Sequence, residues 1–361
     1  MVRRRGDCPG DKGTRMARGD FIRVQYPQPH PQRTREMLKA HPELSKLVGN
    51  DPSTFFYLLL IVGMQIVIAA FIGNYPWWVT VLMAWTVGAV ANHACFVINH
   101  DATHNLVLRG NTGNLIVQVI SNMAFFFPAA GVCFRYYHLH HHRYQGQLGF
   151  DADLAGPLEA RIFGRTVIGK FAWLLFFFLI EGITRPLRIG EKINVINAWV
   201  IGSFIYQVLF IIVLGWAFGW AAPAYLALST IAAVGLHPLG ARWIQEHYVF
   251  KEGQETYSYY GPFNNLMFNV GYHNEHHDLM GVPWSRLKKI KALAPEFYDP
   301  LMAHYSYWKV LARFLFDKNV SLYDRVVRPD RGKSKEFSQK IAHETLYAPV
   351  PANQEVHAPS P

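Results

Sequence analysis

Cysteine is scarce in this sequence. The chain of 361 residues holds three, Cys8, Cys95 and Cys133, an odd number with no metal-ligand spacing. That excludes a disulfide framework and a zinc–thiolate site, so any bound metal takes nitrogen and oxygen ligands. Charged residues are also few, at 17%. No flavin or nicotinamide glycine fingerprint occurs, and no haem-binding His-Pro-Gly-Gly; His237-Pro238-Leu239-Gly240 only approaches it. No internal repeat marks a solenoid or a pair of inverted transporter halves. The first 20 residues are basic but lack the apolar core of a cleaved secretory signal. The chain does not begin Met-Gly, so the N-myristoylation pattern is missing, and Met16 is a candidate alternative start.

Apolar surface, by contrast, is plentiful: 51% of residues are hydrophobic and 15% aromatic. The formal net charge of +10 would suit nucleic acid or anionic lipid. Long apolar runs favour the lipid bilayer and set nucleic acid aside. Thr54 to Ile72 carries no charge and has the ~20 residues that a membrane span needs. Pro76 to Ile98 is a second run, opening on Trp77 and Trp78 as an interfacial belt, after the tight turn Gly73-Asn74-Tyr75. The block from Asn194 to Ala241 breaks near Gly215–Pro223 and reads as a second hairpin, about 195–216 and 220–240. Leu115–Val132, interrupted by Asn122 and Pro128, and Val167–Ile183, with Lys170 and Glu181, are expected to be interfacial or half-inserted. Residues 30–47 are expected to form a short amphipathic helix on the membrane surface. The predicted architecture is an all-α integral membrane fold of about four transmembrane helices in two hairpins, with interfacial helices and a cytoplasmic cap. Basic residues cluster in 1–50, around Arg185, Arg188 and Lys192, and near Arg286, Lys288 and Lys289, whereas the hairpin turns lack them. By the positive-inside rule that side, with both termini, is cytoplasmic. The expected division is a basic N-terminal segment 1–52, a membrane domain 53–328 and a disordered tail 329–361.

Against this background histidine is concentrated. Gly271-Tyr272-His273-Asn274-Glu275-His276-His277-Asp278 carries the spacing H-x-x-H-H. Tyr137-His138-Leu139-His140-His141-His142-Arg143 repeats it at His138, His141 and His142, and Asn99-His100-Asp101-Ala102-Thr103-His104-Asn105 has H-x-x-x-H. On a helix, positions i, i+3 and i+4 share one face, so each cluster can aim its rings at one point. A single cluster is compatible with ordinary surface or core histidines; three in one greasy chain are not coincidence. Eight imidazoles exceed the four ligands of a closed tetrahedral zinc site and suit two metal ions with open positions. An oxygen-activating metal at the edge of a bilayer points to attack on lipid C–H bonds, with the protein supplying position and a dry pocket. A histidine-rich metal transporter is the reading from another class. It needs ionisable ligands near the bilayer midplane, and these clusters lie outside the charge-free runs.

The sequence resembles the sphingolipid Δ4-desaturases, the dihydroceramide desaturases of the membrane fatty acid desaturase/hydroxylase superfamily, over about residues 20–328. The histidine boxes mark the superfamily. The sphingolipid branch is carried by Asp20-Phe21, Gln28-Pro29-His30, Gly235-Leu236-His237-Pro238 and Glu246-His247-Tyr248. Above all it is carried by Glu255-Thr256-Tyr257-Ser258-Tyr259-Tyr260-Gly261-Pro262 running on to the third box. Two departures stand out. His140 replaces a Glu usual in the family and is expected not to be a ligand, and the N-terminus is longer than in animal members.

The resemblance implies two non-haem iron ions held by His100, His104, His138, His141, His142, His273, His276 and His277, with O2 as co-substrate. A further ligand, His247 rather than its rival His237, is implied ahead of the last box. Asp101, Glu275 and Asp278 are expected to accept ring N–H groups and fix imidazole tautomers, with Asn105, Asn274 and Glu246 orienting rings or waters. Tyr257 to Phe268, including Tyr259 and Tyr260, is a candidate lining for the substrate channel. The implied reaction removes hydrogen from C4 and then C5 of the sphinganine base of dihydroceramide. The implied electron source is cytochrome b5 with its reductase, docking on Arg286, Lys288, Lys289 and Lys291, at the endoplasmic reticulum membrane. C4 hydroxylation is the nearest alternative, since the boxes do not separate the two outcomes. An acyl-chain desaturase is disfavoured by the run 255–278.

Overall fold

The computed structural model describes residues 19–189, 193 and 195–328. The expectations for Cys8, Met16, Lys192 and the tail 329–361 fall outside the described residues.

The chain opens with strand β1 (Ile22–Arg23) and helix α1 (His30–Ala40). Helix α2 (Ser53–Ile72) and helix α3 (Trp77–Thr103) form the first hairpin. Helices α4 (Gly110–Ser121), α5 (Ala130–Tyr144), α6 (Pro157–Phe163), α7 (Val167–Leu175) and α8 (Phe177–Arg188) lead to the second hairpin. That hairpin comprises α9 (Ala198–Phe218) and α10 (Ala221–Val234), the latter continued after a break by α11 (Arg242–His247). Helices α12 (His273–Asp278), α13 (Trp284–Leu293) and α14 (Tyr307–Phe316) and strand β2 (Val326–Val327) complete it. Among the described residues four helices are long and apolar enough to cross a membrane, as the sequence predicts, or five if the bent pair α7–α8 is one span.

The four spans divide into an outer and an inner pair. Only 28% of the apolar stretch of α2 and 22% of that of α9 is buried, against 56% for α3 and 61% for α10–α11. The outer helices show lipid-type side chains such as Phe56, Leu60 and Ile212 to their surroundings. Tyr75, Trp77, Trp78, Trp216 and Trp220 are exposed around the two hairpin turns, an aromatic belt of the kind that sits at a bilayer interface. The inner helices pack closely. Asn92 donates to Thr230 Oγ1 at 3.0 Å, and Gly88 leaves no room for a Cβ beside Ser229. Residues Ala84–Gly88 form a π turn within α3, and the Gly88 carbonyl accepts from Gln65 at 3.3 Å. Both inner spans run to 27 residues, about 40 Å at 1.5 Å per residue, against ~30 Å of hydrocarbon. Their ends therefore project about two turns beyond the apolar layer, and those ends carry His100, His104 and His247.

The other elements form the cap. The run over 167–183 is split into α7 and α8 at an angle of 84°, as a half-inserted or broken span would be. Lys170 on α7 is buried and donates to the Asp317 and Val320 carbonyls at 3.0 Å. Strands β1 and β2 pair in parallel, Ile22 opposite Val326 and Arg23 opposite Val327. The stretch 30–47 departs from the expected surface helix. It splits into α1 and a 3-10 turn (Pro42–Leu47) and buries Met37 and Leu44 against Leu279, Val282, Ile290 and Tyr298 of the cap. The reason is polar as well as apolar: the buried Asp278 carboxylate needs partners, and His30 (2.7 Å) and Arg33 (2.7 Å) of α1 supply them.

Candidate metal centre

Helix α5 is entered through Ala129 in the left-handed region (φ 59°) and carries His138, His141 and His142 on one face. His100 lies in the last turn of α3 and His104 caps it. Helix α12 adds His273, His276 and His277, and α11 ends on His247. The rings meet in two groups. His100, His104, His138, His142 and His276 present ligand atoms within 4.8 Å of one another, and so do His141, His247 and His277. Within the first, Nε2 of His142 lies 2.9 Å from that of His138 and 3.1 Å from that of His276. In the second, His247 Nε2 lies 3.1 Å from His141 Nε2 and 3.0 Å from His273 Nε2, so His273 adjoins that group.

These separations fit metal ligation. Two nitrogens at right angles on one ion, each bonded at ~2.1 Å, lie about 3.0 Å apart. His104 Nε2 and His277 Nε2 are buried and have no protein partner. Burial pushes His104, His138, His142, His273, His276 and His277 well below the usual imidazole value, and neighbouring histidines add to the effect. Neutral imidazole is the ligating form.

Carboxylates brace some of the rings. Asp151 Oδ1 accepts from His141 Nδ1 at 2.7 Å, and its other oxygen accepts the Gly146 N–H at 2.7 Å. Burial opposes the Asp151 charge, but His141, Arg325 and the Gly146 N–H outweigh it and hold the carboxyl at about 2. Asp153 Oδ2 lies 3.8 Å from His138 Nδ1 and 3.9 Å from His141 Nδ1. Glu246 lies 3.5 Å from His273 Nδ1 while bonded to Arg242, and Asp101 lies 3.7 Å from His100 Nδ1 while accepting the Trp284 N–H at 2.9 Å.

Residues 76–309 match the fatty acid desaturase family, and residues 17–53 match the sphingolipid Delta4-desaturase family. The sphingolipid delta(4)-desaturase of Drosophila melanogaster is 39% identical over 329 residues, 89% of this chain and 99% of that protein. This chain is a member of the sphingolipid Δ4-desaturase family. Its human relative of the same description is 35% identical over 89% of this chain and 98% of its own length. A Caenorhabditis elegans relative, described as a putative sphingolipid delta(4)-desaturase/C4-monooxygenase, is 37% identical over 88% of this chain and 87% of its own length. Membership makes the chain a membrane-integral oxidoreductase.

Several residues of this desaturase stand elsewhere than the sequence suggests. Glu275 does not brace a ring; its oxygens accept from Ser258 Oγ (2.6 Å) and Tyr260 Oη (2.7 Å), and burial raises its carboxyl to about 7. Asp278 serves His30 and Arg33 of α1 rather than a box histidine. Asn274 accepts from Arg33 at 3.0 Å and Asn105 from Arg135 at 3.0 Å, so both fix backbone and cap. His140 turns away and bonds the Phe150 carbonyl at 2.6 Å. His237 accepts the Leu239 N–H at 3.1 Å beneath Trp85, apart from both groups.

Among the described residues, cavities lie at the histidines and beside them. A small one of about 20 Å³, room for one water-sized molecule, is lined by His100, His138, His273, His276 and Phe268. A larger apolar one of about 480 Å³ lies between α3, α5, α8 and α10, and Phe134 and Trp243 line both. The expected channel over 257–268 is therefore mostly packing. Tyr257 is buried with its hydroxyl on the backbone of residues 250–254, Tyr259 stacks on Tyr307 at 3.9 Å, and Tyr260 holds Glu275. Phe268 alone of the four reaches the centre. Asp151 and Asp153 were not singled out from the sequence; the Asp-x-Asp just after the second box was the available signal.

Proposed function

We propose that this oxidoreductase removes two hydrogens, from C4 and C5 of the sphinganine base of dihydroceramide, to leave the trans double bond of ceramide. Two electrons come from the substrate and two from cytochrome b5, and they reduce O2 to two waters. His100, His104, His138, His142 and His276 would hold one iron ion, and His141, His247, His273 and His277 the other. Bound iron supplies the dioxygen activation and C–H cleavage that no side chain can perform.

The protein's own share is placement and dryness. Asp151 fixes the His141 tautomer, so that Nε2 faces the centre. Phe134 stacks on His138 at 4.7 Å and forms, with Trp243, the wall between the rings and the apolar cavity. One observation carries the reading: buried imidazoles converging beside a lipid-sized apolar cavity, in a chain this similar to named Δ4-desaturases.

Electrons would enter from the cap side, where Lys288 and Lys289 are exposed. Arg286 is occupied, donating to the Leu47 and Asn50 carbonyls, and Lys291 is paired with Asp299. The acidic partner therefore has two free lysines among the four basic residues expected. We place the centre on the cytoplasmic side of the endoplasmic reticulum; an epitope at the C-terminus should be reached by antibody in sealed microsomes, and protection would reverse the orientation.

C4 hydroxylation is the second reading, favoured by the C4-monooxygenase in the description of the C. elegans relative. The test is expression in cells lacking sphingolipid C4 chemistry, with dihydroceramide supplied and the long-chain base analysed by mass spectrometry. Loss of two hydrogens at C4–C5 supports the desaturase, and gain of one oxygen the hydroxylase. Neither product, with iron bound and b5 present, removes the substrate assignment. Zinc without iron would favour the transporter reading.

A further inference from the structure

The reacting carbon of the proposed substrate poses a physical problem. C4 is bonded to the hydroxyl-bearing C3 and is two bonds from the amide-bearing C2. An enzyme acting there must seat polar groups within a few ångströms of the metals while the rest of the chain lies in an apolar tunnel. Polar groups so buried need partners, because a buried hydroxyl or amide left without one is strongly unfavourable.

The large cavity offers charged partners at one place. Its deep end, at Asn92 and Thr230 in the middle of the inner spans, lies about 10 Å along α3 from Asn99, at 1.5 Å per residue. Its upper wall holds Glu181 and Arg185 of α8. These two residues also line a passage of about 20 Å³ that continues to Asp153, Glu246 and His247. Arg185 meets Glu181 at 3.0 Å and Asp153 Oδ1 at 2.9 Å. All three side chains are largely buried, at 11%, 13% and 11% exposure for Arg185, Glu181 and Asp153. The Arg185–Asp153 contact is an ion pair without hydrogen-bond alignment, so Asp153 Oδ1 retains an open acceptor position. Asp153 Oδ2 also lies 3.8 Å from His138 Nδ1 and 3.9 Å from His141 Nδ1, so the cluster reaches the histidine centre.

We propose that Asp153, Glu181 and Arg185 receive the polar end of the sphingoid base and so set which carbon faces the histidines. The carboxylates, held in place by Arg185, accept the C3 hydroxyl, the guanidinium also donates to the amide carbonyl, and the hydrocarbon tail runs down past Phe134 towards Asn92. These are positioning residues: they touch substrate away from the reacting carbons. The inference rests on the dihydroceramide reading above and adds how that lipid is told from an acyl chain. A purely structural role, stapling α8 to the loop after the second box, would lower activity on every substrate alike.

The experiment compares dihydroceramide with its analogue lacking the C3 hydroxyl, using full-length protein in microsomes with b5 and its reductase. Apparent kcat and KM and the position of the new double bond are read by mass spectrometry. Wild type should prefer dihydroceramide by about 10- to 100-fold in kcat/KM, the effect of one hydrogen bond to a charged group. In Arg185→Met and Glu181→Gln that preference should shrink to within about threefold, with KM for dihydroceramide raised. Iron per chain should be unchanged, and an Arg185→Met protein that loses iron leaves the decision to Glu181→Gln. Undiminished preference in the iron-replete variants overturns this inference alone. No conversion of dihydroceramide by wild type overturns it together with the proposed function.

Discussion

The two histidine groups are built differently although the same two helices, α5 and α12, feed both. The first draws His100, His104, His138, His142 and His276 from three boxes and relies on close packing of rings: His100 and His276 lie 4.4 Å apart, centre to centre, and His104 and His142 4.8 Å. The second has fewer rings and more support. Asp151 holds His141, and Glu246, itself held by Arg242, faces His273. Number of ligands secures one site, and bracing by carboxylates secures the other. The second group is accordingly the one whose properties can be altered without touching a ligand.

The sharpest break is His276→Ala, which removes the ring at the centre of the five-histidine group. Turnover should fall to background while the protein still inserts in the membrane, and retained turnover would remove the site assignment. His247→Ala should halve the iron, from about two to one per chain by elemental analysis, whereas His237→Ala should leave it unchanged. Equal loss in both would merge the two groups into one cooperative site. On dialysis against a chelator, one equivalent of metal should leave ahead of the other, from the group of fewer ligands; a single phase would contradict the contrast. Asp151→Asn should lower metal affinity at the second group, or activity, by about 10- to 100-fold. The smallest effect is expected of Glu275→Gln. It sits between box histidines but holds hydroxyls rather than a ring, so its loss should stay under about tenfold, below the range of ring-bracing carboxylates. A larger loss than that of Asp151→Asn would invert the argument.

Much of this was legible in sequence where one period dominates. The four spans and the box histidines follow from apolar run length and from i, i+3, i+4 spacing, both properties of a single helix. Legibility fails where partners come from afar. Asp151 sits in an irregular segment after α5, and nothing in its spacing says that it bonds His141. Tyr257 and Tyr259 have the composition of a channel wall, but their burial against residues 250–254 and Tyr307 is decided by tertiary packing. Asp278 stands beside the third box in sequence and is claimed by His30 in space. The apolar run predicts one span over about 220–240. In the structure the chain turns at Gly235–Pro238, where Gly240 packs directly on the Gly235 carbonyl, and resumes as α11 to deliver His247.

The bond between His30 and Asp278 joins residues 248 positions apart. Translation at ~5–20 residues per second separates their synthesis by about 12–50 s. During that interval α1 exists without the surface it is made to cover, and both membrane hairpins are made before that surface appears. Strand β1 waits longer still for β2. The histidine cage is thus a late product of synthesis, and iron can be captured only after the last box has emerged. A defect in α1 should therefore show itself in newly made chains, as slow metal loading, and leave the mature enzyme's chemistry largely intact.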